Sequence, residues 1–120
     1  MLEGLNFIIL NVPDIEQAKA FYNEKLGFGI EAASPRFVQF KLEHPGATFA
    51  IQPSPDANYT PYQGVELWWE VSDADAIHSQ LLERGVEVVN PPTDQPFGRA
   101  FSIKDPIGNI LNMYQLPTGR

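Results

Sequence analysis

The run Gly64-Val65-Glu66-Leu67-Trp68-Trp69-Glu70-Val71 sets two carboxylates on either side of an indole at alternating positions. On an extended strand successive side chains point to opposite faces, so Glu66, Trp68 and Glu70 share one face, and Val65, Leu67, Trp69 and Val71 share the other. The second set is uniformly apolar and is expected to lie under the helices. The first set can do chemistry of two kinds. An indole flanked by carboxylates stacks on a flat ring and attracts a cation. A carboxylate beside apolar rings can instead act as a general base, and Glu66 is the candidate for that role.

The chain states its plan twice. Residues 5–52 run apolar strand, capped helix, Leu26-Gly27, then strands, and residues 64–115 repeat that order. Val12-Pro13-Asp14 is answered by Val71-Ser72-Asp73, and Leu26-Gly27-Phe28 by Arg84-Gly85-Val86. Each position in one module therefore identifies its counterpart in the other. Glu66 corresponds to Phe7, Trp68 to Ile9 and Glu70 to Asn11. Aligning Gly46 with Gly108 pairs Thr48 with Ile110, Ala50 with Asn112, and Gln52 with Tyr114. These twelve positions form the expected ligand-binding wall.

The elements that must position them follow from pattern and punctuation. Leu5 to Val12 reads as a buried strand ended by Pro13. Asp14 caps a helix, with Gln17 three residues on and an apolar stripe at Ile15, Ala18, Phe21, Tyr22 and Leu26; Gly27 stops it. Strands are expected over 29–33, 36–42 and 47–52, the last two joined by Glu43-His44-Pro45-Gly46. Residues 53–63, with three prolines, read as a linker. The second module is expected as a strand over 64–71, a helix over about 74–84, a short strand over 86–89, and a long proline-bearing loop over 90–98. A strand over 99–104, the Asp105-Pro106-Ile107-Gly108 turn and a strand over 109–115 follow. Pro117 to Arg120 reads as a loose tail.

Bulk composition narrows the classes. At 120 residues and 43% apolar, the chain is expected to make one domain of two modules, not two independent cores. A net charge of −7 with eight Lys plus Arg argues against nucleic acid and anionic membrane as partners. There is no cysteine, which removes disulfides, thiolate catalysis and thiolate-bound metal together. The apolar run Phe7 to Leu10 lacks a basic flank and is too short for a signal peptide or a membrane span, so a cytoplasmic location is expected.

The order of elements, the Val12-Pro13-Asp14, Phe21-Tyr22 and Leu26-Gly27-Phe28 signatures and the Asp105-Pro106-Ile107-Gly108-Asn109 turn resemble the vicinal oxygen chelate superfamily of glyoxalases, bleomycin-resistance proteins and dioxygenases. The resemblance spans about residues 5–115. It implies an α+β fold of two tandem βαβββ modules forming a curved sheet around a shared cavity, and a homodimer. In metal-dependent members the ion is held at four positions that fall here on Phe7, Ala50, Glu66 and Asn112. Phe7 and Ala50 have no donor atom. His44 reads as a turn residue and His78 as a helix-surface residue, so neither repairs the set, and the expectation is no metal and no cofactor.

The segment 64–71 and the run Pro91-Pro92 to Pro96-Phe97-Gly98-Arg99 are similar to the bleomycin-resistance branch. That similarity implies metal-independent binding of a small aromatic or cationic molecule, which the negative net charge favours electrostatically. The alternative is a lyase or isomerase of the same superfamily with Glu66 as base. A filled, structural cavity is a third reading. Individual residues also have plainer explanations: Glu66 and Glu70 on a solvated strand face, Arg99 in a surface ion pair, Asp14 and Asp73 as helix caps.

Overall fold

Two aspartates start the two helices in the same way. In the computed structural model, which describes residues 1–54, 60–61 and 64–117, Asp14 accepts the Gln17 backbone N–H and Asp73 that of Ala76, each at 3.1 Å from an extended backbone. Each cap satisfies an amide that the first helical turn leaves without a partner, a contribution of about 1 kcal/mol. Gly27 and Gly85, paired by the repeat, both take positive φ after their helices.

Contacts divide the chain into two units, Met1–Thr60 and Pro61–Arg120. The first holds β1 (Phe7–Val12), α1 (Ile15–Ala20) running into a π-helical turn (Phe21–Lys25), β2 (Ile30–Ser34), β3 (Phe37–Phe40) and β4 (Thr48–Pro53). Its sheet has the order β1-β4-β3-β2, with β1 and β4 parallel and the other pairs antiparallel. Leu10, Val12, Val38, Phe40, Phe49 and Ile51 are buried on one side with Ile15, Ala18, Phe21 and Tyr22. Tyr22 is the hub, with rings of Phe21, Phe28, Phe40 and Phe49 at 5.2 to 6.2 Å.

The second unit repeats the arrangement with β5 (Leu67–Glu70), α2 (Ala74–Glu83), β6 (Glu87–Gln95), β7 (Gly98–Lys104) and β8 (Ile110–Gln115), in the order β5-β8-β7-β6. Again the first and last strands of the module pair in parallel. Phe101, Ile103, Leu111 and Met113 are buried on the α2 side with Ala74 and Leu81. Both units are thus βαβββ modules, and the class is α+β.

Several expectations need correction. Residues 90–98 are not a loop: β6 runs through Pro91 and Pro92 to Gln95, with register shifts between Val88 and Asn90 and between Asn90 and Thr93. The prolines fit because β6 is an edge strand and they lie in a bulge, where a missing N–H breaks no central ladder. Val65 does not join the core; it precedes β5 and is 58% exposed. His78 is half-buried, its ring edge-on to Phe101 at 5.7 Å, so it packs on the sheet instead of facing water. Most of the expected linker (residues 55–59 and 62–63) and the tail from residue 118 lie outside the described residues, while Pro53 closes β4.

Candidate ligand-binding site

Register decides which side chains of the second unit share the face away from α2. Trp68 lies opposite Asn112 and Glu70 opposite Tyr114; Asn112 lies opposite Ser102 and Tyr114 opposite Ala100. Opposed residues point the same way. Across the four strands one row therefore reads Trp68, Asn112, Ser102, Asn90, and the next reads Glu70, Tyr114, Ala100, Thr93. Asn90 Nδ2 donates to Ser102 Oγ at 2.8 Å, and Asn112 Nδ2 donates to the Leu67 carbonyl at 3.2 Å.

On this face Trp68, Phe97 and Tyr114 form a ring cluster. All three pairs meet edge to face, with centroids 5.5 Å (Trp68–Phe97), 5.9 Å (Trp68–Tyr114) and 6.2 Å (Phe97–Tyr114) apart. Trp68 and Phe97 nonetheless stay 42% and 46% exposed. Phe97 is absent from the twelve expected positions, because it sits in the tight turn between β6 and β7, where strand alternation gives no phase. The Pro96-Phe97-Gly98 sequence was its only local signal. Gly98 makes that turn possible: its φ is +144°, and a Cβ there would collide with the Gln115 carbonyl of β8.

In the same unit a groove of about 290 Å³ is lined by Glu66, Asn112, Ile110, Val65, Asn109 and Gly108, together with Pro61. Glu66 is exposed, and its Oε1 accepts the Trp68 indole N–H at 3.1 Å. Behind the sheet, Arg99 ties the turn down. Its Nε donates to both oxygens of Asp75 on α2 (3.1 and 3.2 Å), and a terminal nitrogen donates to Asp94 on β6 at 2.9 Å. The hydrogen bonds Arg99 donates, to Asp94 first and then to Asp75, hold the guanidinium pKa above its ordinary value. Arg99 is therefore an ion-pair residue. Beside it Gln115 Oε1 accepts the Ala74 N–H at 2.8 Å, fastening β8 to the start of α2.

The corresponding face of the first unit is different in character. Phe7 lies opposite Thr48, Ile9 opposite Ala50, and Asn11 opposite Gln52, whose side chains are joined by a 2.9 Å hydrogen bond. Phe7 stacks on Phe37 with centroids 6.4 Å apart. Ala50, at 0% exposure between Ile9 and Gln39, offers a ligand no surface. A separate, larger groove of about 430 Å³ is lined by Glu31, Gln39, Phe40, Lys41, Leu42 and Thr48; of the twelve expected positions it includes only Thr48. The smaller groove of the second unit gathers Glu66, Ile110 and Asn112 and is linked to the ring cluster by the Glu66–Trp68 hydrogen bond and the Trp68–Asn112 pairing.

These residues do not fit a divalent ion. Phe7 and Ala50 are hydrocarbon, which leaves one amide oxygen, from Asn112, and the Glu66 carboxylate, one of whose oxygens already accepts an indole N–H. Among the described residues no group of three or more His, Asp or Glu side chains converges. An oxygen-rich octahedral shell cannot be assembled from what remains.

The family model of the Glyoxalase/Bleomycin resistance protein/Dioxygenase superfamily matches residues 4–113. The chain belongs to that superfamily. Among solved structures of the superfamily's fold, it is similar to TnmS3, an antibiotic binding protein from Streptomyces sp. CB03234, at 27% identity and a TM-score of 0.79, covering 97% of this chain and 98% of that one. A glyoxalase/bleomycin resistance protein from the same Streptomyces strain matches at 28% identity and a TM-score of 0.75, over 93% of this chain and all of the other. The curated protein YetH of Bacillus subtilis (strain 168) is 23% identical over 116 residues, 92% of this chain and 97% of that protein. No helix among the described residues of this superfamily member is long and apolar enough to cross a membrane.

Proposed function

We infer that the second unit binds a small aromatic or cationic molecule on the face bearing Trp68, Phe97 and Tyr114, without a metal ion of its own. The observation that carries this reading is the ring cluster, left open to water on a sheet face beside a groove. Covering exposed ring surface is worth about 25 cal/mol per Å². Edge-to-face packing leaves ring faces available for stacking or for a cation. Glu66 and Glu70 add negative charge on the same face, and the net charge of −7 speeds the approach of a cation. The likeness to the antibiotic binding protein TnmS3 supports the same reading.

Titration with bleomycin and with the planar cation proflavine, followed by tryptophan fluorescence and thermal shift, tests it. A saturable one-site response that is lost in Trp68→Ala and Phe97→Ala is expected. No saturable response to either compound would remove the reading. Homodimerisation, which the superfamily resemblance implies, is checked on the same protein by light scattering.

The position of Glu66 in the groove beside Asn112 favours a second reading, a lyase or isomerase with Glu66 as base. Glu66→Gln separates the two. A binder keeps its ligand with modestly lower affinity, more so at low salt. An enzyme loses roughly a hundredfold or more in turnover while binding persists.

A further inference from the structure

We propose that the groove selects cations that carry their charge on N–H donors, such as amidinium or primary ammonium groups, over quaternary ammonium; this rests on the ring-cluster reading above. Asn112 turns its amide nitrogen toward the sheet, where one of its two N–H groups donates to the Leu67 carbonyl at 3.2 Å. That leaves Oδ1, an acceptor, for a ligand. Glu66 uses Oε1 to receive the Trp68 indole N–H and keeps Oε2, again an acceptor.

Among the described residues no basic side chain lines the groove, and Lys104, opposite Ile110 in the register, is paired with Glu87 at 3.6 Å. A head group entering here meets side-chain acceptors and negative charge together. A donor-bearing cation forms charge-assisted hydrogen bonds with both. A quaternary cation supplies the charge but leaves Asn112 Oδ1 and Glu66 desolvated and unpaired, which is unfavourable.

Size points the same way. A groove of about 290 Å³ holds roughly ten water-sized atoms, enough for one small cationic head and part of a ring. Trp68 lies directly opposite Asn112 in the parallel β5–β8 ladder and is bonded to Glu66, so a ring attached to that head meets the indole. The geometry therefore joins stacking and donor recognition in one short ligand.

The test compares benzamidine with phenyltrimethylammonium, which share a single ring and a single positive charge, by nuclear magnetic resonance titration of the full chain. The Trp68 indole N–H and the Asn112 side-chain amide report binding. Benzamidine is expected to bind at least tenfold tighter. Glu66→Gln, an exposed change that retains an oxygen for the indole, and Asn112→Val should each reduce that preference below threefold. Equal affinities, tighter binding of the quaternary ion, or a preference undiminished in both variants would overturn the donor selection while leaving the ring-cluster site standing. If neither cation moves the Trp68 resonance, the ring-cluster reading falls and this inference falls with it.

Discussion

The indole N–H of Trp68 donates to Oε1 of Glu66 across one intervening residue, at 3.1 Å. Glu66 stands one residue before β5 and lines the groove, so the bond directs the polar edge of the indole toward it. The same ring meets Phe97 and Tyr114 edge to face. One carboxylate thus both orients the aromatic surface and charges the space next to it.

Adjacent tryptophans should behave oppositely. Trp69 lies on the α2 side of the sheet, half-buried, opposite the buried Met113, whereas Trp68 is on the open face. Trp69→Ala is expected to cost roughly 3 kcal/mol or more of stability, as for a large core aromatic cut to Ala. Trp68→Ala should cost about 1 kcal/mol, the scale of its aromatic pair contacts, and chiefly weaken binding. Urea denaturation of both variants checks this, and equal losses would reverse the assigned faces.

Two glycines with positive φ should respond differently to alanine. At Gly98 the new methyl group meets the Gln115 carbonyl as well as an unfavourable φ, while at Gly64 nothing lies within 4 Å. Gly98→Ala is therefore expected to cost about 2–5 kcal/mol, combining backbone strain with overpacking. Gly64→Ala should cost about 1–2 kcal/mol, the left-handed penalty alone. Thermal melts of the pair give the comparison.

Arg99→Gln should loosen the Phe97 turn more than it destabilises the unit. Its two carboxylate partners come from α2 and β6, and both are exposed, at 64% and 87%, so solvent and salt screen the pairs. Amide exchange at residues 94–99 is expected to accelerate, and the melting temperature to change little. Exchange rates identical to those of the unaltered chain would show that Gly98 and the β6–β7 ladder hold the turn unaided.

Chelation should be without effect. Since Phe7 and Ala50 offer no donor atoms and Glu66 and Asn112 supply only a carboxylate and an amide oxygen, dialysis against a chelator is expected to leave the melting temperature unchanged, and elemental analysis should find no stoichiometric divalent ion. A tightly held ion would contradict the donor inventory.

Where the sequence is explicit, a local interaction is responsible. Asp14 and Asp73 declare helix starts because a cap is made within three residues, and alternation declared the faces of Trp68 and Trp69 because a strand has a strict period of two. The second half of β6, beyond the expected strand over 86–89, is hidden for the opposite reason. Pro91 and Pro92 carry a strong local loop signal, and only the strand's place at the sheet edge, which depends on β7 and β8, makes them compatible with pairing. Phe97 was hidden because a turn has no period from which to read a direction. Its inclusion in the site depends on two rings carried by other strands.

The parallel pairing of β5 with β8 also governs when the binding face can come into being. Asn112 and Leu67 are 45 positions apart, and the bond between them closes nearly the whole second unit. During synthesis, Trp68 emerges long before Tyr114 and Asn112, so the indole lacks its Tyr114 partner until the last strand inserts between β5 and β7. Such nonlocal closure is slow in folding because the loop entropy is lost before the contacts are made. The proposed binding face is therefore complete only once β8 is in place, and a chain stopped short of β8 would have the residues of β5 without Asn112 and Tyr114 beside them.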